Sequence, residues 1–146
     1  MSFTKRTIAA IHYEVEPVGE DMKIVLQSDL LANEPVPVPG IDPRLAAALE
    51  SPLVSDLATC RNYWGILVHH TKQSGLHMAA GMDHQIDFPG AADSFIRADD
   101  DLARLTIAAN VPEGTSLKMT KYIGYGWSAR RSVPALRAQV DAALAM

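Results

Sequence analysis

The stretch Tyr63–His84, Y-W-G-I-L-V-H-H-T-K-Q-S-G-L-H-M-A-A-G-M-D-H, sets the architecture of the chain. Two apolar runs, Tyr63–Thr71 and Leu76–His84, flank the polar break Lys72-Gln73-Ser74-Gly75. Gly75 can supply the positive φ that tight turns need, so the stretch reads as an antiparallel β-hairpin. With Gln73 and Ser74 as the loop, His70 faces His77, Val68 faces Ala79 and Trp64 faces Asp83 on one side of the ribbon. His69, Leu67 and Tyr63 then lie opposite Met78, Ala80 and His84 on the other. Both faces are largely apolar, which predicts a strand pair covered on both sides. One covering layer is expected to be missing from the chain or supplied by a partner.

Outward from the hairpin, alternation marks further strands. Thr7–Val15 and Met22–Ser28 are read as a second hairpin turning at Val18–Asp21. From Asn33 to Pro52 the prolines at 35, 37, 39, 43 and 52 mark a surface excursion, with one or two helical turns over Pro43–Glu50 after Asp42. Asp93–Ala98 and Ala103–Val111 are shorter strands, and Leu117–Trp127 is the longest. There Leu117, Met119, Ile123, Tyr125 and Trp127 share one face with Lys121 as the only interruption, while Lys118, Thr120, Tyr122, Gly124 and Gly126 share the other. The last segment is a helix: Ser132 is its N-cap, Pro134 sits in the first turn, and Val133, Leu136, Val140, Ala143 and Leu144 form one stripe. About seven strands and one C-terminal helix predict an all-β protein, an antiparallel β-sandwich with a helical exit.

The 146 residues suffice for one domain with a real core. Hydrophobic residues at 48% and charged residues at 21% exclude disordered and collagen-like classes. A net charge of -4 gives no general attraction to nucleic acid or anionic membrane. No run of 18 apolar residues exists and the start M-S-F-T-K-R-T has no apolar signal core, so a cytoplasmic location is expected. Cys60 is the only cysteine, which excludes a disulfide framework and a cysteine zinc site.

The residues that could carry chemistry are few. His70, His77 and His84 recur at a spacing of seven, and a zinc centre on His70, His77 and Asp83 is conceivable; His84 points to the opposite face, however, and no third ligand is fixed by spacing. The neutral expectation is no metal and no cofactor. Asp83 and His84 are adjacent on a strand, so their side chains diverge and cannot easily cooperate as an acid/base pair. Asp99-Asp100-Asp101 lacks the spaced ligands, glycine and glutamate of a calcium loop and reads as a solvated turn. Arg130 and Arg131 could clamp an anion at the helix start, but a solvated pair explains them as well. Trp64, Tyr122, Tyr125 and Trp127 form the one candidate carbohydrate-binding set, because a pyranose presents C–H bonds to a flat aromatic face; core packing is the competing explanation.

Three stretches carry a family resemblance: A-I-H-Y-E-V-E-P at Ala10–Pro17 with V-L-Q-S-D-L-L-A-N at Val25–Asn33; H-H-T-K-Q-S-G-L-H-M-A-A-G-M-D-H at His69–His84; and K-Y-I-G-Y-G-W-S-A-R-R-S-V-P-A-L-R-A-Q-V at Lys121–Val140. Their order and spacing resemble the N-terminal domain of glycoside hydrolase family 65, the family of maltose, trehalose and kojibiose phosphorylases. The resemblance implies the second half of a galactose-mutarotase-like super-sandwich over residues 1–131, with residues 132–146 starting the linker helix to an (α/α)6 catalytic barrel. It also implies that the general acid and the phosphate site lie in that barrel, so no catalytic residue transfers to this chain. For the whole enzyme it implies inverting attack of phosphate or water on an α-glucoside. The implied partner is the remainder of the enzyme, with homodimer contacts through unpaired sheet edges. The rival expectation is a stand-alone carbohydrate-binding module.

Overall fold

A computed structural model describes residues 7–34 and 51–145; the expected helical turns at 43–50 lie outside them. The described residues form eight strands and one helix. In chain order these are β1 (Ile8–Val15), β2 (Met22–Leu31), β3 (Leu53–Arg61), β4 (Trp64–Thr71), β5 (His77–Asp87), β6 (Ala92–Asp99), β7 (Leu102–Val111), β8 (Leu117–Ser128) and α1 (Val133–Leu144). They build an antiparallel sandwich of a five-stranded sheet, order β1-β8-β5-β4-β3, and a three-stranded sheet, order β2-β7-β6.

The central hairpin has the expected register, running from Gly65↔Met82 to His70↔His77. Gly75 sits at φ +62, and its N–H donates to the Thr71 carbonyl. Both faces of the hairpin are covered, but not as expected. On one side Leu67 and Met82 pack with Ala103 of β7 and with Leu30 and Ile96 of the small sheet. On the other, Trp64, Ile66, Val68 and Ala79 pack against Leu136 and Val140 of α1. The missing layer is therefore the chain's own last helix, whose apolar stripe was visible while its landing place was not.

Glycines prepare that landing place. A Cβ at Gly81 would stand 2.8 Å from Val140 Cγ1, closer than real contacts allow, and a tight 3.0 Å from Leu144 Cδ1. A Cβ at Gly124 would be 3.1 Å from Leu144 Cγ, and one at Gly126 would be 3.3 Å from Leu136 Cδ1. Gly81 and Gly124 are cross-strand partners, so their bare backbones form a shallow bed into which the helix sinks. The Ser132 side chain accepts from the Ala135 N–H, and Pro134 lies in the first turn, as the sequence predicts.

The expected hairpin of the first two strands does not form. β1 pairs with β8, from Ile8↔Gly124 to Val15↔Leu117, whereas β2 pairs with β7 in the other sheet. The link between β1 and β2 arches from one sheet to the other beside the β7–β8 link. Gly19, at φ +93, donates its N–H to Glu113 Oε1; Glu113 N–H donates to Asp21 Oδ1; and Gly114 N–H donates to the Pro17 carbonyl. β2 alternates, and alternation sets a face without choosing a partner. β7 alternates strictly, burying Ala103, Leu105, Ile107, Ala109 and Val111. Leu105, Ile107 and Val111 join Leu26, Leu117 and Met119 in the main core between the sheets.

Candidate functional site

The four aromatic residues fall on opposite faces of the large sheet. Trp64 is 9% exposed beneath α1, flanked by the Arg61 and Arg137 guanidinium carbons at 5.4 and 5.6 Å from its ring centroids. These are cation–π contacts that shield the indole on the helix side. Tyr122 is on the same face as the glycine bed and donates its hydroxyl to Gln85 Oε1 at 3.4 Å. Tyr125 and Trp127 occupy the other face, at the end of β8, and are 43% and 62% exposed. Tyr125 lies against Met78 Sδ, to which its hydroxyl donates at 3.9 Å.

The hairpin end gathers three titratable side chains. Asp56 Oδ1 accepts from His70 Nδ1 at 2.8 Å, and Asp56 Oδ2 accepts from His77 Nδ1 at 3.0 Å. The two imidazole centroids are 5.6 Å apart. Cross-strand pairing of His70 and His77 was legible in the sequence; Asp56 was not. It lies on β3, where the register with β4 slips between Ser55↔His69 and Leu57↔Val68, leaving Asp56 as the extra residue of a bulge. A bulge re-aims a side chain, and here it delivers a carboxylate to the histidine pair. The short apolar content of L-V-S-D-L-A-T-C-R concealed this strand, although Leu53, Ser55 and Leu57 alternate with Val54 and Asp56. Asp83, the acidic residue that the sequence groups with these histidines, instead accepts the His84 backbone N–H at 2.8 Å.

A second polar group is buried between the sheets. His84 Nδ1 donates to the Tyr63 carbonyl at 2.7 Å, which leaves Nε2 as the acceptor for the Ser28 hydroxyl at 2.7 Å. Its β8 neighbour Lys121 donates to the Asp29 carbonyl. Burial lowers the pKa of both, and for His84 the nearby Lys121 charge adds to the effect. Each polar atom of His84 and Ser28 has its partner, so this is a satisfied interior network.

The acidic corner is structural as well. Asp101 accepts from His69 Nε2 and Asn33 Nδ2, both at 2.9 Å, and Asn33 in turn holds the backbone of Leu53 from both sides. The Arg130 and Arg131 backbone N–H groups both donate to Ser128 Oγ, and the Arg131 guanidinium donates to Gln139. Cys60 is a free, partly buried thiol. Among the described residues no helix is long and apolar enough to cross a membrane.

Known proteins resemble this chain in sequence or in fold. The family profile described as "Glycosyl hydrolase family 65, N-terminal domain" matches residues 1–146. An uncharacterised glycosyl hydrolase of Mycobacterium leprae (strain TN) is 41% identical over 144 residues, and an uncharacterised glycosyl hydrolase of Mycobacterium tuberculosis (strain ATCC 25618 / H37Rv) is 41% identical over the same length. Each alignment covers 99% of this chain, and the chain spans only 18% of each relative. A solved chain named as a kojibiose phosphorylase from human microbiome superposes with a TM-score of 0.75 over 95% of this chain and 17% of its own, at 10% identity, which establishes a shared sandwich fold. With the profile running the full length of the sequence, the chain belongs to glycosyl hydrolase family 65, within that family's N-terminal domain.

Proposed function

We propose that the chain is a non-catalytic β-sandwich module of a cytoplasmic enzyme that cleaves α-glucosides by phosphorolysis or hydrolysis, and that it supports a catalytic barrel lying outside these residues. The observation that carries this reading is the pairing of a full-length family match with a span of only 18% of the relatives' length. The polar groups of the chain favour it too: Asp29 is held by Arg104, Asp101 by His69 and Asn33, and Glu14 by Lys118, which are arrangements of structural rather than reacting carboxylates.

The surface facing the rest of the enzyme would include the bare inner side of β1. Ile11 and Tyr13 stand opposite Lys121 and Met119 on the face that β2 and β7 cover elsewhere, yet they are 54% and 47% exposed. Two large apolar side chains left exposed on a sheet face that is covered elsewhere suit a contact with another layer. α1 would begin the link to the barrel, so that residues 1–131 form the sandwich proper and 132–146 the start of the connection. Homodimer contacts through the edge strands β1 and β3 belong to the same reading.

The test is an assay of the full chain with maltose, trehalose and kojibiose, with and without inorganic phosphate. No release of glucose or glucose 1-phosphate is expected, and turnover by the chain alone would overturn the proposal. A second reading, carbohydrate binding, is favoured by the exposure of Trp127 next to Tyr125. It requires a saturable change in tryptophan fluorescence on titration with maltose that is lost in Trp127→Ala.

A further inference from the structure

We propose that Asp56, His70 and His77 form a binding site for one divalent late first-row transition-metal ion of the Zn2+ class, clipping β3, β4 and β5 together at the turn end of the large sheet. Several observations converge on it. One ligand atom from each residue lies within 4.8 Å of the others. Tetrahedral N and O ligands at about 2.0 to 2.1 Å from an ion are about 3.3 Å apart. The Asp56–histidine separations of 2.8 and 3.0 Å, one to each carboxylate oxygen, lie just inside that spacing, and small side-chain rotations would bring one oxygen and the two imidazoles to it. Two imidazoles and a carboxylate are the donor set that Zn2+ takes, and they would leave a coordination position for water.

The placement is built by the backbone. His70 and His77 are cross-strand partners in the last pair of the β4–β5 ladder, which fixes their separation. The β3 bulge alone brings Asp56 to them; in a regular register it would take its place in the β3–β4 ladder. One carboxylate then serves two imidazoles, an arrangement unlike the single His69–Asp101 pair nearby. The three side chains are partly solvent-accessible, at 19% for Asp56, 32% for His70 and 31% for His77, so an ion can enter without opening the core.

Loading requires no oxidant or additional acid. In the metal-free cluster each Nδ1 carries the proton that it donates to Asp56. On binding, each imidazole exchanges that proton through solvent for one on Nε2 and presents the Nδ1 lone pair to the ion. Asp56 exchanges two N–H donors for the ion, and water completes the shell. The site would be structural: an ion that binds the folded state and not the unfolded one raises stability in proportion to its occupancy.

The experiment uses the full chain after chelator treatment and dialysis. Isothermal titration with Zn2+ is expected to show one saturable equivalent, and cobalt-substituted protein should show the visible bands of a tetrahedral site. Asp56→Asn and His77→Gln, both near in shape to the native residues, should each weaken Zn2+ binding by at least about 10-fold, the smallest loss seen when even a supporting partner of a metal site is removed. His12→Gln, on exposed β1, should leave the affinity unchanged. Long-range 1H–15N spectra of zinc-loaded protein should show metal on Nδ1 of His70 and His77. Absence of saturable binding, equal affinity in Asp56→Asn and the native chain, or equal loss in His12→Gln would each overturn the proposal. If one variant fails to fold, as judged by far-UV circular dichroism, the cobalt and nitrogen spectra of the native chain still decide it.

Discussion

On one face of β5 and β8 the helix α1 rests on Gly81, Gly124 and Gly126; on the other, His84 and Lys121 stand side by side beneath β2. The same two strands thus meet their covers by opposite means. Toward the helix, side chains are removed so that Leu136, Val140 and Leu144 reach the backbone. Toward the small sheet, polar side chains are kept and each is given a partner. The helix face is sensitive to added volume and the sandwich face to lost hydrogen bonds, since close-packed contacts and satisfied buried polar groups fail for different reasons.

The largest effect that would test this contrast comes from the helix itself. Leu136 is fully buried, so Leu136→Ala should cost about 2 to 5 kcal/mol, read as a lower midpoint in urea unfolding. A loss near the surface range would mean that the helix is only lightly docked. Next comes Gly81→Ala. Its Cβ would meet Val140 Cγ1 at 2.8 Å, so the Val140 side chain or the helix carrying it must shift, at a cost of about 1 to 3 kcal/mol. Gly126→Ala, with a nearest contact of 3.3 Å, should cost less. Equal costs at the two glycines would show that the bed does not set the helix position.

The contrast between the faces was partly legible in the sequence. The hairpin register, the face assignments of β8 and the Ser132 cap follow from local periodicity and turn chemistry, and all are as expected. The sequence displays Gly124 and Gly126 one strand position from Tyr125, but periodicity does not reveal that their lack of a side chain is the point of contact. Strand partnership failed at β1 and β2, because the link carrying Pro17 and Gly19 crosses between sheets while looking like a hairpin turn. Asp56 was hidden for a related reason: a bulge is a property of two paired strands, and no single strand announces it. His84 looked like a member of a regular histidine series, yet its partners Ser28 and the Tyr63 carbonyl come from distant positions in the chain.

The smallest predicted effect sharpens the sandwich side of the comparison. His84→Gln should cost about 1 to 2 kcal/mol at neutral pH, because the glutamine amide replaces the ring's bonds imperfectly and Ser28 or the Tyr63 carbonyl loses geometry. Its pH dependence is more telling than its size. Burial, opposed by the Tyr63 bond and reinforced by the Lys121 charge, holds the folded His84 pKa below the ordinary value of 6.5. The unfolded chain therefore binds more protons in the mildly acidic range, and stability rises with pH there. The contribution is fully present above about pH 6.5 and is lost as the pH falls through the lower folded value. Thermal unfolding followed from about pH 7.5 down to about pH 5.5 should show the native chain losing stability faster than His84→Gln, so that the two curves converge toward acid. Parallel curves would mean that His84 accepts its second proton in place, and that the face beneath β2 tolerates charge as readily as the helix face tolerates none.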